Sequence, residues 1–194
     1  MVRSCLLSGG ASQRMGRDKA LLPHQAGGSW LEHTLQQLAE LGAPITLLTR
    51  WPEHLQLARD LELPQLEAIA EPPPWQGPLL ALHRLMELHP DQQLLLCPVD
   101  MPGLDSAVLH QLLQAAGSDA TAIHLAHDGH RSQPLLGIYP ATKPRRDRLE
   151  RTIATGERRL QRWLADERCC SVQLKAESIQ NVNRFDELEP LSPL

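Results

Sequence analysis

A chain of 194 residues with 42% hydrophobic and 22% charged residues is long enough for one domain with a sizeable core and has the balance of a soluble globular protein. Its net charge of −4 excludes broad electrostatic binding of nucleic acid, which needs a basic face, but leaves room for a small basic pocket that takes one polyphosphate. The four cysteines (Cys5, Cys97, Cys169 and Cys170) have neither metal-ligand nor disulfide spacing, and no stretch approaches the ~20 apolar residues of a membrane span, so the expectation is a reduced, cytoplasmic protein without a membrane partner.

Strand and helix signals alternate along the chain. Residues 2–8 read as a buried first strand, and Cys5 within it as a small core residue. Residues 30–41 carry Trp30, Leu31, Thr34, Leu35, Leu38 and Leu41 on one helical stripe, stopped by Gly42 and then Pro44. A second strand is expected at 44–50, a short helix at 53–61 and a third strand at 67–71. "PPPWQGP" (72–78) is a proline-rich loop, followed by a helix at 79–89 that turns Leu79, Leu82, Leu85 and Met86 inward. "QQLLLCPVD" (92–100) is a continuous apolar run ending in an acid, as expected of a central parallel strand buried on both faces. A helix at 105–116, a strand at 119–126 and a hairpin-like turn at 127–130 follow. Residues 142–166 read as charged helix broken near Gly156, residues 169–174 as a late strand, and a last short helix begins near Phe185. The alternation predicts a single-domain, doubly wound α/β fold, 1–194, with a mostly parallel sheet and helices on both faces. Ligands of such sheets sit beyond the carboxyl ends of the strands, and the two most polar motifs, residues 8–19 and Asp100, both fall there.

The first of these, "LLSGGASQRMGRDKALL" (6–22), places Arg14, Lys19 and three glycines directly after a strand. Glycines let the backbone turn sharply and come close to a ligand, and exposed N–H groups in such a loop cradle phosphate oxygens. Arg14 can fork two donors onto phosphate, Lys19 supplies a point charge, and Ser8 and Ser12 add hydroxyls. The spacing is neither that of the dinucleotide-binding fingerprint nor that of the P-loop. Asp100, between Pro98 and Pro102, suits Mg²⁺, which takes one or two carboxylates together with substrate phosphates. The alternative role, capping the helix that follows, is better served by Asp105 or Ser106. His124, His127 and His130, spaced by three across a strand and its turn, are not placed to gather on one metal.

These motifs resemble the molybdenum cofactor guanylyltransferases, a family of the nucleotidyltransferases that activate small molecules with a nucleoside triphosphate. The family opens with Leu-Ala-Gly-Gly, a short spacer, Arg-Met-Gly and Asp-Lys; this chain has Leu7-Ser8-Gly9-Gly10, Arg14-Met15-Gly16 and Asp18-Lys19. Its Cys-Pro-x-Asp-x-Pro matches residues 97–102, and its Asn-Val-Asn matches 181–183. The resemblance implies transfer of GMP from GTP to molybdopterin with release of pyrophosphate. It implies that Leu7, Ser8, Gly9 and Gly10 meet the nucleotide, that Arg14 and Lys19 grip its phosphates, and that Asp100 is the magnesium ligand. Asn181 and Asn183 would lie near the metal and the substrate phosphate, although Asn183 can equally cap a final helix.

Glu71 stands nearest to the family's guanine-reading aspartate and is either that group or a solvated acid after a strand. The family's asparagine after the second strand is absent, since residues 48 and 49 are Leu and Thr. Arg158 and Arg159 either meet the acidic pterin phosphate or, for at least one of them, sit on a solvated helix face. "HDGHRSQP" (127–134) resembles the stretch that lines the pterin side. The labile pterin implies other cofactor-biosynthesis proteins and acceptor molybdoenzymes as partners. A cytidylyltransferase of the same fold and a non-catalytic nucleotide-binding adaptor are the alternatives. The missing asparagine gives the adaptor some footing; the set Arg14, Lys19 and Asp100 speaks against it.

Overall fold

The computed structural model describes residues 1–10 and 18–182. Arg14, Asn183 and the helix expected near Phe185 lie outside the described residues. In chain order the elements are β1 (Val2–Leu7), α1 (Trp30–Ala39), β2 (Ile45–Thr49), α2 (Pro52–Asp60), β3 (Leu66–Ala70), α3 (Pro78–Leu88) and β4 (Gln93–Pro98). Then come α4 (Ser106–Ala116), β5 (Ile123–His127), β6 (Ser132–Pro140), α5 (Lys143–Ala154), α6 (Leu160–Leu164) and β7 (Cys169–Gln173). The strands form one seven-stranded sheet in the order β3-β2-β1-β4-β6-β5-β7. Pairing is parallel except for β6, which runs antiparallel to both β4 and β5.

Side-chain alternation along the central strands builds two cores. Leu6, Leu47, Leu95 and Cys97 point to the face covered by α1, α2 and α4, where they meet Leu31, Leu35, Ala58 and Leu109. Cys5, Leu48, Leu94 and Leu96 point to the face covered by α3, α5 and α6, where they meet Leu82, Leu85, Leu149 and Trp163. Both faces of the sheet are therefore covered, as a doubly wound fold requires. Cys5 and Cys97 are fully buried; burial pushes the Cys5 thiol up to about 12 and the Cys97 thiol higher still.

Local chemistry sets the boundaries. Ser29 and Glu32 form a reciprocal capping box at the start of α1, with Ser29 N donating to Glu32 Oε2 at 2.6 Å and Glu32 N donating to Ser29 Oγ at 3.3 Å. Asp105 caps α4, accepting from Val108 N at 2.8 Å, which leaves Asp100 outside the helix. Gly156, with φ +89°, separates α5 from α6.

Two expectations need correction, and one strand was not assigned from the sequence. After the 127–130 turn the chain forms β6, whose Pro134, Gly137 and Pro140 disguise a strand in the sequence. Pro134 falls where the β5–β6 register shifts, and a Cβ on Gly137 would come within 2.7 Å of His124 O, so close strand approach requires glycine there. The strand expected from 119 begins only at Ile123, because Asp119 Oδ1 accepts from both the N–H and the hydroxyl of Thr121 and turns the chain. Arg158 and Arg159 lie in the turn between α5 and α6, not on a helix face. Among the described residues no helix is long and apolar enough to cross a membrane.

Candidate active site

Chain order turns back between β1 and β4: β2 and β3 extend the sheet on one side of β1, and β4 lies on the other. That switch point opens a crevice at the strand carboxyl ends, the usual ligand site of such sheets. A cavity of ≈ 360 Å³ fills it, lined among others by Gly9, Gly10, Lys19, Arg50, Glu71 and Asp100. Leu7 and Ser8 also line it, so the expected nucleotide-binding residues within the described chain converge on one cleft.

At one end of the cleft, three distant segments meet. A 3₁₀ turn, Lys19–Leu21, is capped by Asp18, whose Oδ1 accepts from Ala20 N at 3.0 Å. Lys19 Nζ donates to Val182 O at 3.0 Å and lies 4.0 Å from Asp100 Oδ2. Val182 N in turn donates to Asp100 O at 3.0 Å, which draws Asn181 toward the same corner. Burial holds the Asp100 carboxyl above the usual carboxylate range, a shift that Lys19 only partly opposes. Asp100 Oδ1 and Asn181 Oδ1 are both buried without a hydrogen-bond partner among the described residues. Unsatisfied hard oxygens beside a phosphate-sized crevice are the donors that Mg²⁺ takes, so the residues fit that ion. Among the described residues no group of three or more His, Cys, Asp or Glu side chains is gathered for a metal. His124 Nε2 instead bonds Asp119 O at 2.9 Å, and His127 Nδ1 accepts from Gly129 N at 3.0 Å.

At the other end lies Glu71, just past β3. Arg84 Nη1 donates to Glu71 Oε1 at 2.6 Å, and the Glu71 side chain is only 8% exposed, so it is not a solvated acid. Its Oε2 faces Gly9, where an added Cβ would approach to 2.8 Å. Neither Gly9 nor Gly10 has a left-handed φ. Close approach, not backbone freedom, is what requires glycine at position 9.

A buried network ties the two feet of the glycine-rich segment together, and sequence reasoning missed it. His54, on α2 and fully buried, places Nδ1 3.0 Å from Ser8 Oγ and 3.0 Å from Thr49 Oγ1. Its Nε2 donates to Asp18 Oδ2 at 2.7 Å, because a carboxylate can only accept. Thr49 Oγ1 donates to Ser8 O at 3.0 Å, so the residue at the end of β2 turns into this network while Arg50 lines the cleft. No local sequence signal pointed to that network, since its members come from four separate segments.

A second cavity of ≈ 540 Å³ shares Pro78 and Leu135 with the first and is lined by Gln133, Arg159, Arg162 and Asn181. Arg159 is exposed and bonded to Glu157 at 3.2 Å. Arg158 points elsewhere: it donates to Gln76 Oε1 at 2.6 Å and to Ile153 O at 2.9 Å, pinning the 72–77 loop.

Comparison with known proteins agrees with this geometry. Residues 4–172 match the MobA-like NTP transferase domain. A Rhodopirellula baltica protein named "Probable molybdenum cofactor guanylyltransferase" is 32% identical over 190 residues, covering 95% of this chain and 89% of its own. A nucleotidyl transferase structure from Methanothermobacter superposes with a TM-score of 0.78 at 16% identity, covering 98% of this chain and 95% of its own. The structure of molybdopterin-guanine dinucleotide biosynthesis protein A from Archaeoglobus fulgidus does so with a TM-score of 0.73 at 18% identity, covering 97% and 95%. With the match spanning nearly the whole sheet and the cleft at its switch point, this chain belongs to the MobA-like NTP transferase domain family.

Proposed function

We propose that the chain transfers the GMP unit of GTP to the terminal phosphate of molybdopterin, giving molybdopterin guanine dinucleotide and pyrophosphate. The observation that carries this reading is one cleft with a cation–carboxylate pair at one end, Lys19 and Asp100 at 4.0 Å, and a buried carboxylate, Glu71, against Gly9 at the other. A nucleotide laid across it puts its triphosphate beside Lys19 and its base beside Glu71. The name of the Rhodopirellula relative supports the same assignment.

In this reading a terminal phosphate oxygen of the acceptor attacks the α-phosphorus of GTP in line. A new P–O bond forms there, the bond to the β-phosphate oxygen breaks, and pyrophosphate leaves with that electron pair. The attacking oxygen is already anionic, so no protein nucleophile or base is needed. Catalysis is positioning and electrostatic. Lys19, aimed by the Asp18 cap, takes the triphosphate charge, and Arg14 is assigned the departing pyrophosphate. The amides of Leu7, Ser8, Gly9 and Gly10 cradle the nucleotide. Asp100, with Asn181 beside it and Asn183 assigned to the same corner, would hold Mg²⁺, which when bound offsets the charge of the phosphates. The adjoining cavity with Arg159, Arg162 and Gln133 is suited to the anionic acceptor. On this reading the reaction runs in the cytoplasm, and the product passes to other cofactor-biosynthesis proteins and acceptor molybdoenzymes.

Titration calorimetry with GTP, CTP and ATP, in Mg²⁺ and in EDTA, tests the reading. Magnesium-dependent binding of GTP in preference to CTP is expected, followed by pyrophosphate release that requires molybdopterin. A preference for CTP moves the chain to cytidylyl transfer and removes the role given to Glu71. Absence of nucleotide binding would leave only an adaptor.

A further inference from the structure

The residue that follows the end of β2 is Arg50. Its guanidinium carbon lies 4.6 Å from the Trp51 ring centroid and 5.2 Å from that of Trp75. Both indoles are anchored to the walls of the nucleotide cleft: Trp51 Nε1 donates to Gly10 O at 3.3 Å, and Trp75 Nε1 donates to Glu71 O at 2.9 Å. Arg50 lines the cleft with Trp75, its Nε is buried without a hydrogen-bond partner, and among the described residues no carboxylate pairs with it. A surface arginine needs no such mounting. Two aromatic faces hold the guanidinium plane in one orientation by cation–π attraction, leaving its N–H fork to point along that plane.

Glu71 and Arg50 line the same cleft and both touch Trp75, so they offer that cleft an acceptor and a donor fork. Guanine carries the complement: donors at N1 and N2, acceptors at O6 and N7. Arginine pairs with O6 and N7 in a bidentate way, a contact adenine opposes with its N6 amine and cytosine cannot supply. We infer that Arg50, clamped between Trp51 and Trp75, reads the O6/N7 edge of the base and sets the preference for a 6-oxopurine nucleotide. This rests on the GTP reading above and adds to it the residue that distinguishes purines. Where the family has an asparagine after its second strand, Thr49 here is drawn into the His54 network and its neighbour Arg50 lines the cleft.

The test uses the full chain with Mg²⁺ and four nucleotides, GTP, ITP, ATP and CTP, measured by calorimetry for wild type, Arg50→Met and Arg50→Lys. ITP keeps O6 and N7 but lacks the N2 amine, so it isolates the edge assigned to Arg50. Arg50→Met is expected to weaken GTP and ITP alike, by about 5- to 150-fold, while ATP and CTP hold or improve. Arg50→Lys keeps the charge but not the fork and should lose most of the same preference, with an unchanged melting temperature showing that the fold is intact. Equal weakening of all four nucleotides would overturn the inference, because Arg50 would then serve the phosphates or the shape of the cleft. So would an unchanged order of preference in Arg50→Met, and in both cases the guanylyl reading survives. A wild-type protein that does not prefer GTP sinks the guanylyl reading itself and takes this inference with it.

Discussion

Replacing Asp100 by asparagine is expected to stabilise the nucleotide-free protein while removing turnover. Lys19 Nζ at 4.0 Å attracts the Asp100 carboxylate by about 4 kcal/mol at an effective dielectric near 20. Even so the carboxyl is held above its usual range, so the loss of hydration on burial outweighs that attraction. A raised carboxyl pKa means that the ionised form costs the folded state free energy at every pH above the unfolded value. Asparagine keeps the shape and drops the charge. Relief of this kind is worth about 0.5–2 kcal/mol, or about 1–8 °C in melting temperature for a chain of this length. The opposite sign is expected with ligand. Wild type in Mg²⁺ and GTP at about 100 times Kd should gain about 2.7 kcal/mol, roughly 5–11 °C, and the variant little of it. Turnover in the variant should fall by about 10²–10³ or more. Scanning calorimetry of both proteins in EDTA and in Mg²⁺·GTP decides the matter. A variant that melts below wild type in EDTA, or that keeps the full Mg²⁺·GTP shift, would refute the account of Asp100 as a strained carboxylate awaiting a cation.

Lys19→Met should lower kcat about 10²–10³-fold with a smaller change in melting temperature, read by steady-state kinetics beside thermal unfolding. His54→Ala removes the strut between Ser8 and Asp18 and leaves Asp18 Oδ2 short of a partner; about 1–3 kcal/mol of stability should be lost together with GTP affinity, and His54→Gln should recover part of both. Gly9→Ala drives a methyl to 2.8 Å from Glu71 Oε2, on a carboxylate that Arg84 anchors through Oε1, so calorimetry should show weaker GTP binding with little loss of fold. Burial, then the stacked ring of His24, holds His33 below the ordinary imidazole range, and burial, then Arg3, does the same for His89. The unfolded chain therefore binds more protons as pH falls below about 6.5, and stability should decline from there downward. Melting temperatures between pH 7.5 and 5.5 should show that slope, and it should flatten in a His33→Gln, His89→Gln double variant.

The alternation of strands and helices was legible because each central strand is a short run of Leu, Val, Ile or Cys closed by a polar or glycine residue. β4 and its acid are the clearest case: the short apolar run of Leu94, Leu95 and Leu96, closed by Pro98, is that of a strand covered on both faces. β6 was illegible for the same kind of reason reversed. Its prolines and glycine usually mark turns, and only the pairing with β4 and β5 reveals that Gly137 serves close packing. That Lys19 and Asp100 would meet in one cleft was legible, since isolated charges at strand ends have few structural uses. The network around His54 was not, because nothing in local sequence says that a helix residue at 54 meets positions 8 and 18. The capping box at Ser29 and Glu32 did carry its own signal, a serine three residues before a glutamate.

The structure also shows why the site cannot be inferred from stability alone. Among the described residues five buried side-chain atoms lack a hydrogen-bond partner: Ser4 Oγ, Arg50 Nε, Asp100 Oδ1, Trp163 Nε1 and Asn181 Oδ1. Three of them, on Arg50, Asp100 and Asn181, belong to residues lining the cleft at the switch point or the cavity beside it. Burying a polar atom without a partner costs about 1–3 kcal/mol, so a fold selected only to be stable would not gather such atoms in one place. Their chemistry is sorted as well as concentrated. On the proposed reading the Asp100 and Asn181 oxygens would meet a cation, and the Arg50 guanidinium, which lines the same cleft as Glu71, would meet the base. A substrate that satisfies all three at once has to be long, anionic at one end and a hydrogen-bonding heterocycle at the other. A nucleoside triphosphate meets that description, and pyrophosphate alone, which reaches only the Lys19 end, should bind without engaging Arg50.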